Sequence, residues 1–146
     1  MTDYELVEAL AAKLREYTTA PLSTCEVHEW DQIALEGANG GVVVSCAEGG
    51  QGHIAIGEQL MDRCPLVIRG EIVHADTQAS RRNISLLRSQ IVSVLRSNRT
   101  LTAGGENART NAAERITWRY GVFADPHVVR WCEVYVTYEY EPDAAT

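Results

Sequence analysis

A chain of 146 residues carrying a net charge of −7 is one domain's length, enough to bury a core without disulfides. Net acidity argues against a duplex nucleic-acid binder, whose affinity rests on cationic contacts to phosphate. No apolar run reaches membrane-spanning length, and Met1-Thr2-Asp3-Tyr4-Glu5 lacks the basic and apolar regions of a signal peptide. The expectation is a soluble protein with no membrane partner, made and used in a cytoplasm. Its four cysteines, Cys25, Cys46, Cys64 and Cys132, are expected as reduced thiols and not as a disulfide framework.

In chain order, Thr2-Asp3-Tyr4-Glu5 has the form of a capping box, and Leu6, Val7, Leu10, Ala11 and Leu14 follow as one apolar stripe. A first helix is predicted over Asp3 to Tyr17, ending before Pro21. Thr24 to Glu29 reads as a short strand with Cys25 and Val27 on one face. Trp30 to Asn39 is acidic and irregular. Asn39-Gly40-Gly41 signals a turn, and Val42 to Cys46 is a β-branched run suited to a central strand. Glu48-Gly49-Gly50-Gln51-Gly52 reads as a loop, and Ile54 to Met61 stays ambiguous. Flexible loops are expected near 47–63 and again near 99–114.

Pro65 opens a strand over Leu66 to His74, with Gly70 marking a possible bulge. It leads into a second helix, Asp76 to Asn98. There Ile84, Leu87, Ile91, Val94 and Leu95 recur at three-and-four spacing on one face, while Arg82, Ser85, Ser89 and Arg96 occupy the other. Asp76 or Thr77 is suited to cap its start, and Asn98 to end it in the left-handed conformation. Thr100 to Ala113, with Gly104-Gly105, reads as a loop with little to bury. Alternation resumes over Arg115 to Tyr120, Asp125-Pro126 turns the chain, and Trp131 to Tyr140 is the clearest strand, with Cys132, Val134, Val136 and Tyr138 on one face. The pattern predicts an α+β single domain over 1–146: a mainly antiparallel twisted sheet with two helices packed on one face.

Catalytic signatures are absent from the sequence. Gly49-Gly50-Gln51-Gly52-His53 lacks both the Gly-Lys-Ser/Thr ending of a P-loop and the GxGxxG spacing. Cys25-x-x-His28 looks like half a zinc site, but on a strand the two side chains point to opposite faces. His53, His74 and His127 are isolated. Glu29 with Asp31, or Glu71 with Asp76, are pairs of the kind any acidic surface carries. No catalytic residue, cofactor or metal is therefore expected.

Charge and aromatics point toward association instead. Before Arg63 the chain holds eleven acids against Lys13 and Arg15; from Arg63 onward it holds eleven arginines against nine acids. Arginine favours planar, weakly hydrated contacts and is enriched at interfaces, so two halves of opposite sign suit self-association. Trp118, Tyr120, Phe123, Trp131, Tyr135, Tyr138 and Tyr140 crowd the last quarter, and alternation sends some of them to the outer face of the sheet.

With its capped first helix, its strand Val67 to Val73 running into the Asp76 to Asn98 helix, and its aromatic-rich closing strand Glu133 to Tyr140, the chain resembles the tail terminator (tail completion) proteins of long-tailed bacteriophages. Element order and length follow that pattern over nearly the whole chain; the segments 48–53 and 100–113 have no fixed family sequence. The resemblance implies a structural virion protein of the tail or neck. It would form a ring, a homohexamer, that caps the major tail tube protein, stops its polymerisation and meets the head connector or head completion protein, with DNA passing through the lumen and no sequence-specific nucleic-acid contact. A closed ring shows two different surfaces to its neighbours. The expected pairing sets Arg81, Arg82, Arg88 and Arg96 of the second helix against Glu29, Asp31 or Glu36 of the next subunit. The rival readings are another phage neck adaptor, for head completion or tail joining, and a small α+β ligand-binding domain or enzyme using the Gly49 to His53 loop.

Overall fold

Thr2 and Glu5 set the start of the first helix. In the computed structural model, which describes residues 1–30, 40–46, 52–56, 59–73, 77–110, 116–123 and 128–141, the Glu5 N–H donates to Thr2 Oγ1 at 3.2 Å and the Thr2 N–H to Glu5 Oε2 at 2.9 Å. This closes the capping box and satisfies two backbone donors that would otherwise lack partners. The helix, α1, runs over Asp3–Arg15 and buries Leu6, Val7, Leu10, Ala11 and Leu14. A 3-10 turn over Leu22–Thr24 leads into β1, Glu26–Glu29, two residues shorter than the alternation suggested.

The strands that follow are β2 (Gly41–Cys46), β3 (Gly52–Ile56) and β4 (Gln59–Val73), then the helix α2 (Thr77–Ser97), and finally β5 (Thr100–Ala103), β6 (Glu106–Arg109), β7 (Thr117–Phe123) and β8 (Val129–Tyr140). The sheet runs β1-β2-β4-β8-β6-β5, with β3 added to β4 and β7 to β8. β1 and β2 are parallel and every other pairing is antiparallel. The long β4 and β8 pair from Asp62↔Tyr140 to Val73↔Val129 and form the spine.

One face of that spine is the core. Cys64, Leu66, Ile68 and Ile72 of β4 and Cys132, Val134, Val136 and Tyr138 of β8 are all buried, with Val42 and Val44 of β2 beside them. Both helices cover this face. α1 lies over β1, β2 and β5, and α2 over β4 and β8, burying Ile84, Leu87, Ile91, Val94 and Leu95 as the spacing requires. The chain is a single-domain α+β fold.

Four expectations change. The segment 100–109, read as a loop, is a hairpin turning at Gly104 and Gly105, whose φ values of 59° and 80° are the left-handed pair a two-residue turn needs. Leu101 and Ala108 pair across it and are buried. The segment near 47–63, also read as loop, contains the β3–β4 hairpin, paired from Gly52↔Arg63 to Ile56↔Gln59. Gly70 is no bulge, because the registers Val42↔Gly70 and Gly70↔Cys132 run on without interruption. Asn98 ends α2 without a left-handed turn; its side-chain amide donates to the Val94 carbonyl at 2.8 Å, and its own carbonyl accepts from the Tyr138 hydroxyl at 2.8 Å.

Gln90 is a buried polar residue on the core side of α2. Its Oε1 accepts from the Leu22 N–H and its Nε2 donates to the Ala20 carbonyl, both at 2.9 Å. The side chain thus fastens the connection after α1 to α2, where an apolar side chain would leave the buried Leu22 N–H unsatisfied.

Candidate interaction surface

The sheet face opposite the helices is built by the alternate residues of β4, β7 and β8. There Arg69, Glu71, Arg119, Phe123, Trp131, Glu133 and Tyr135 interlock. The Arg69 guanidinium lies 4.6 Å from the Trp131 ring centre and 5.7 Å from that of Phe123. It donates to Glu71 at 2.9 Å and lies 3.6 Å from Glu133. Arg119 donates to Glu133 at 2.6 Å and sits 5.4 Å over Trp131. Tyr135 closes the set with a 3.1 Å hydrogen bond to Glu133. Glu133 is therefore the anion two arginines share, and those arginines also face aromatic rings.

Electrostatics follow from this geometry. The hydrogen bond and charge of Glu133 raise the pKa of Arg119. Burial, together with Glu133, pushes the Tyr135 phenol up.

β7 borders this face. Among the described residues it pairs with β8 alone, so its other edge presents unpaired backbone donors and acceptors. Its large apolar side chains are exposed on both faces: Trp118 42%, Tyr120 45%, Val122 51% and Phe123 53%. An exposed apolar edge strand is a candidate surface for pairing with another chain.

The arginines expected at an interface divide. Arg81, Arg82 and Arg96 are exposed on α2. Arg88 is engaged within its own chain: its Nε donates to the Tyr120 hydroxyl at 2.9 Å and its guanidinium lies 4.4 Å from the Trp118 ring centre. It ties α2 to β7. Glu29 likewise has a partner in the same chain, Arg15, at 3.1 Å. Asp31 and Glu36 lie outside the described residues. Cys25 and His28 do not converge: the Cys25 thiol donates to the Pro21 carbonyl at 3.3 Å, and His28 sits 3.2 Å from Glu26. Arg69 and Arg119, missed in the sequence, carry the surface; alternation across Arg119-Tyr120 and Arg69-Gly70 was the signal that placed them opposite the core.

A second polar cluster lies within the core at the far end of the sheet, where Asp3 of α1 meets Cys46 of β2 and Cys64 of β4. The two sulfurs stand 3.5 Å apart. The hydrogen bond from Cys64 lowers the Cys46 pKa, while that same contact and burial push the Cys64 thiol up. The Tyr140 hydroxyl donates to Asp3 Oδ1, and Asp3 Oδ2 is buried without a hydrogen-bond partner.

No helix among the described residues is long and apolar enough to cross a membrane. No family model and no curated protein sequence matches the chain. Several solved structures are similar to it; one of them matches over 97% of this chain and 94% of that one, with a TM-score of 0.62 and 11% sequence identity, a likeness of fold alone.

Proposed function

We propose that this chain is a structural virion protein of the tail-terminator type, a ring-forming adaptor that caps a phage tail tube and joins it to the head, and that it makes and breaks no bonds. The observation that carries this reading is β7: an exposed edge strand with Trp118, Tyr120, Val122 and Phe123 open to solvent, beside a face where arginines and aromatics are already ordered against one another. Arginine and large aromatics are the residues that dominate buried interfaces. An edge of this kind pairs with a different surface on the next copy, and such head-to-tail contacts close into rings when the rotation allows.

The charge distribution supports the same reading. An acidic first half facing an arginine-bearing second half gives each neighbour contact a favourable sign. The exposed Arg81, Arg82 and Arg96 of α2 are the cations on offer; Asp31, Glu36 and the other acids of the first half are their proposed partners. The ring, taken as a hexamer, would hold the tail tube protein on one side and the head connector or head completion protein on the other, with DNA passing through its lumen.

The test is imaging and native mass measurement of the purified chain, alone and with tail tubes. Rings are expected, together with tubes that stop growing once the chain is added. Val122→Lys is expected to leave the fold intact and to break the ring into monomers, since Val122 is 51% exposed. A chain that stays monomeric at every concentration and leaves tube growth unchanged would sink the reading.

A further inference from the structure

We propose that Asp3, Cys46 and Cys64 form a binding site for one thiophilic divalent cation of the zinc class, held by two thiolates and one carboxylate. These three residues lie apart from the interaction surface of β4, β7 and β8. The ligand atoms of the three residues all lie within 4.8 Å of one another, and the sulfurs are 3.5 Å apart. Two thiolates on a tetrahedral zinc, at about 2.3 Å each, stand about 3.8 Å apart, and a thiolate and a carboxylate oxygen about 3.6 Å. The site needs only small adjustments to reach those spacings.

The same pair is poorly placed for a disulfide. In the β2–β4 register Cys46 lies opposite Leu66, so Cys64 is its diagonal neighbour, two residues on. Diagonal pairs hold their Cα atoms about 7 to 8 Å apart, beyond the roughly 4.4 to 6.8 Å that disulfides span. The sulfurs can share an ion between the strands without the backbone shift a bond would need.

The carboxylate adds the second observation. Asp3 is 9% exposed, its Oδ1 is held by the Tyr140 hydroxyl, and its Oδ2 is buried with no hydrogen-bond partner. A buried carboxylate oxygen left bare is costly. A cation between it and the two thiols satisfies it, and the Tyr140 hydrogen bond orients the ligand as second-layer partners of metal sites do. On binding, the two thiol protons leave to solvent, so the divalent ion with two thiolates and a carboxylate forms a site of net charge about −1. Three protein ligands leave a fourth position for water or an incoming group.

Protein prepared with chelator and reductant and then titrated with Co2+ is expected to take up one ion per chain and to develop the intense near-ultraviolet absorption of sulfur-to-cobalt charge transfer. Zn2+ should then displace the cobalt and bleach it. Cys46→Ser, at a half-buried position, is expected to weaken that absorption while far-ultraviolet circular dichroism stays unchanged, and Cys25→Ser to leave it intact. Tyr140→Phe, which keeps all three ligands, should weaken Zn2+ binding about 10- to 100-fold. Absence of the charge-transfer band in the wild-type protein overturns the proposal. So does a band unaltered in folded Cys46→Ser, or oxidation to a Cys46–Cys64 disulfide with no cobalt uptake under reduction.

Discussion

Leu87 of α2 sits in the space that a side chain on Gly70 of β4 would fill: a Cβ built on Gly70 would stand 2.7 Å from Leu87 Cδ2 and 3.3 Å from Cys132 Sγ. The glycine lets the helix lie flat on the spine of the sheet. Gly70→Ala overpacks the contact and should cost about 1 to 3 kcal/mol. Leu87→Ala removes a fully buried side chain and should cost about 2 to 5 kcal/mol. Because the second change vacates what the first one fills, the double variant is expected to lose less than the two losses combined. Denaturation midpoints of the four proteins decide this; strict additivity would mean that helix and glycine do not share the contact.

Gly121 performs the same service on the opposite face. A Cβ there would meet the Trp131 ring at 2.0 Å, so in Gly121→Ala the indole has to leave the surface of β7. Arg69 and Arg119 would then lose the ring they share. The expected result is a changed near-ultraviolet circular dichroism spectrum together with weakened self-association, while far-ultraviolet signals stay close to wild type. An unchanged tryptophan signature would show that the ring does not lie across Gly121.

Gln90 carries a larger penalty than its residue type suggests. Replacing it with Ala strips partners from the Leu22 N–H and the Ala20 carbonyl, two backbone groups bonded at 2.9 Å. The Leu22 N–H is buried, and a buried group left unpaired costs about 1 to 3 kcal/mol, whereas Ala20 is exposed and its carbonyl can turn to water. Gln90→Ala should therefore destabilise the chain by several times the loss seen for Ser89→Ala, at the exposed neighbouring position. Thermal melts of the two variants check the difference.

Much of this architecture was legible because burial on one face leaves a period in the sequence. α1, α2, β2, most of β4 and β8 follow from stripes and alternation, down to which of Cys132, Val134, Val136 and Tyr138 face inward. The hairpins were not. β5 and β6 are four residues each and bury mainly Leu101 and Ala108, so periodicity had too few positions to work on. The Gly104-Gly105 pair was in plain view, but it signals a two-residue turn only when the flanking runs are known to pair. β4 was cut short at Pro65, which pairs with Thr137 of β8 and lies one step past the last β2 partner, Cys46↔Leu66. The metal-ligand cluster left no motif at all, since Asp3, Cys46 and Cys64 meet only once β2 and β4 have paired and α1 has docked.

Arg88 has contacts inside its own chain. It was read as a contact to a neighbouring subunit, yet it holds Tyr120 and Trp118 of β7 within its own chain. Arg88→Ala should loosen β7 and make the Thr117–Phe123 amides exchange faster with solvent, while Arg82→Ala, at an exposed position, should leave them protected. Equal exchange in both variants would mean that Arg88 does not brace the edge strand.

Alkaline pH should unfold the chain through its buried acids. Desolvation holds the Cys132 thiol up to about 11, against an ordinary value of 9.0. Between those values the folded chain keeps a proton that the unfolded chain has released, so the folded state binds more protons and stability falls as pH rises. The contribution is fully present below about pH 9 and is lost through the folded value; two units correspond to about 2 to 3 kcal/mol. Cys25, also raised to about 11 by burial, and the buried phenol of Tyr138 act in the same direction. Cys132→Ala should lower stability at neutral pH by opening a small cavity, yet flatten its decline above about pH 9, because the titrating group is gone. Urea midpoints measured across that range for the wild type and the variant test this: parallel declines would show that the buried thiol has no part in the alkaline transition.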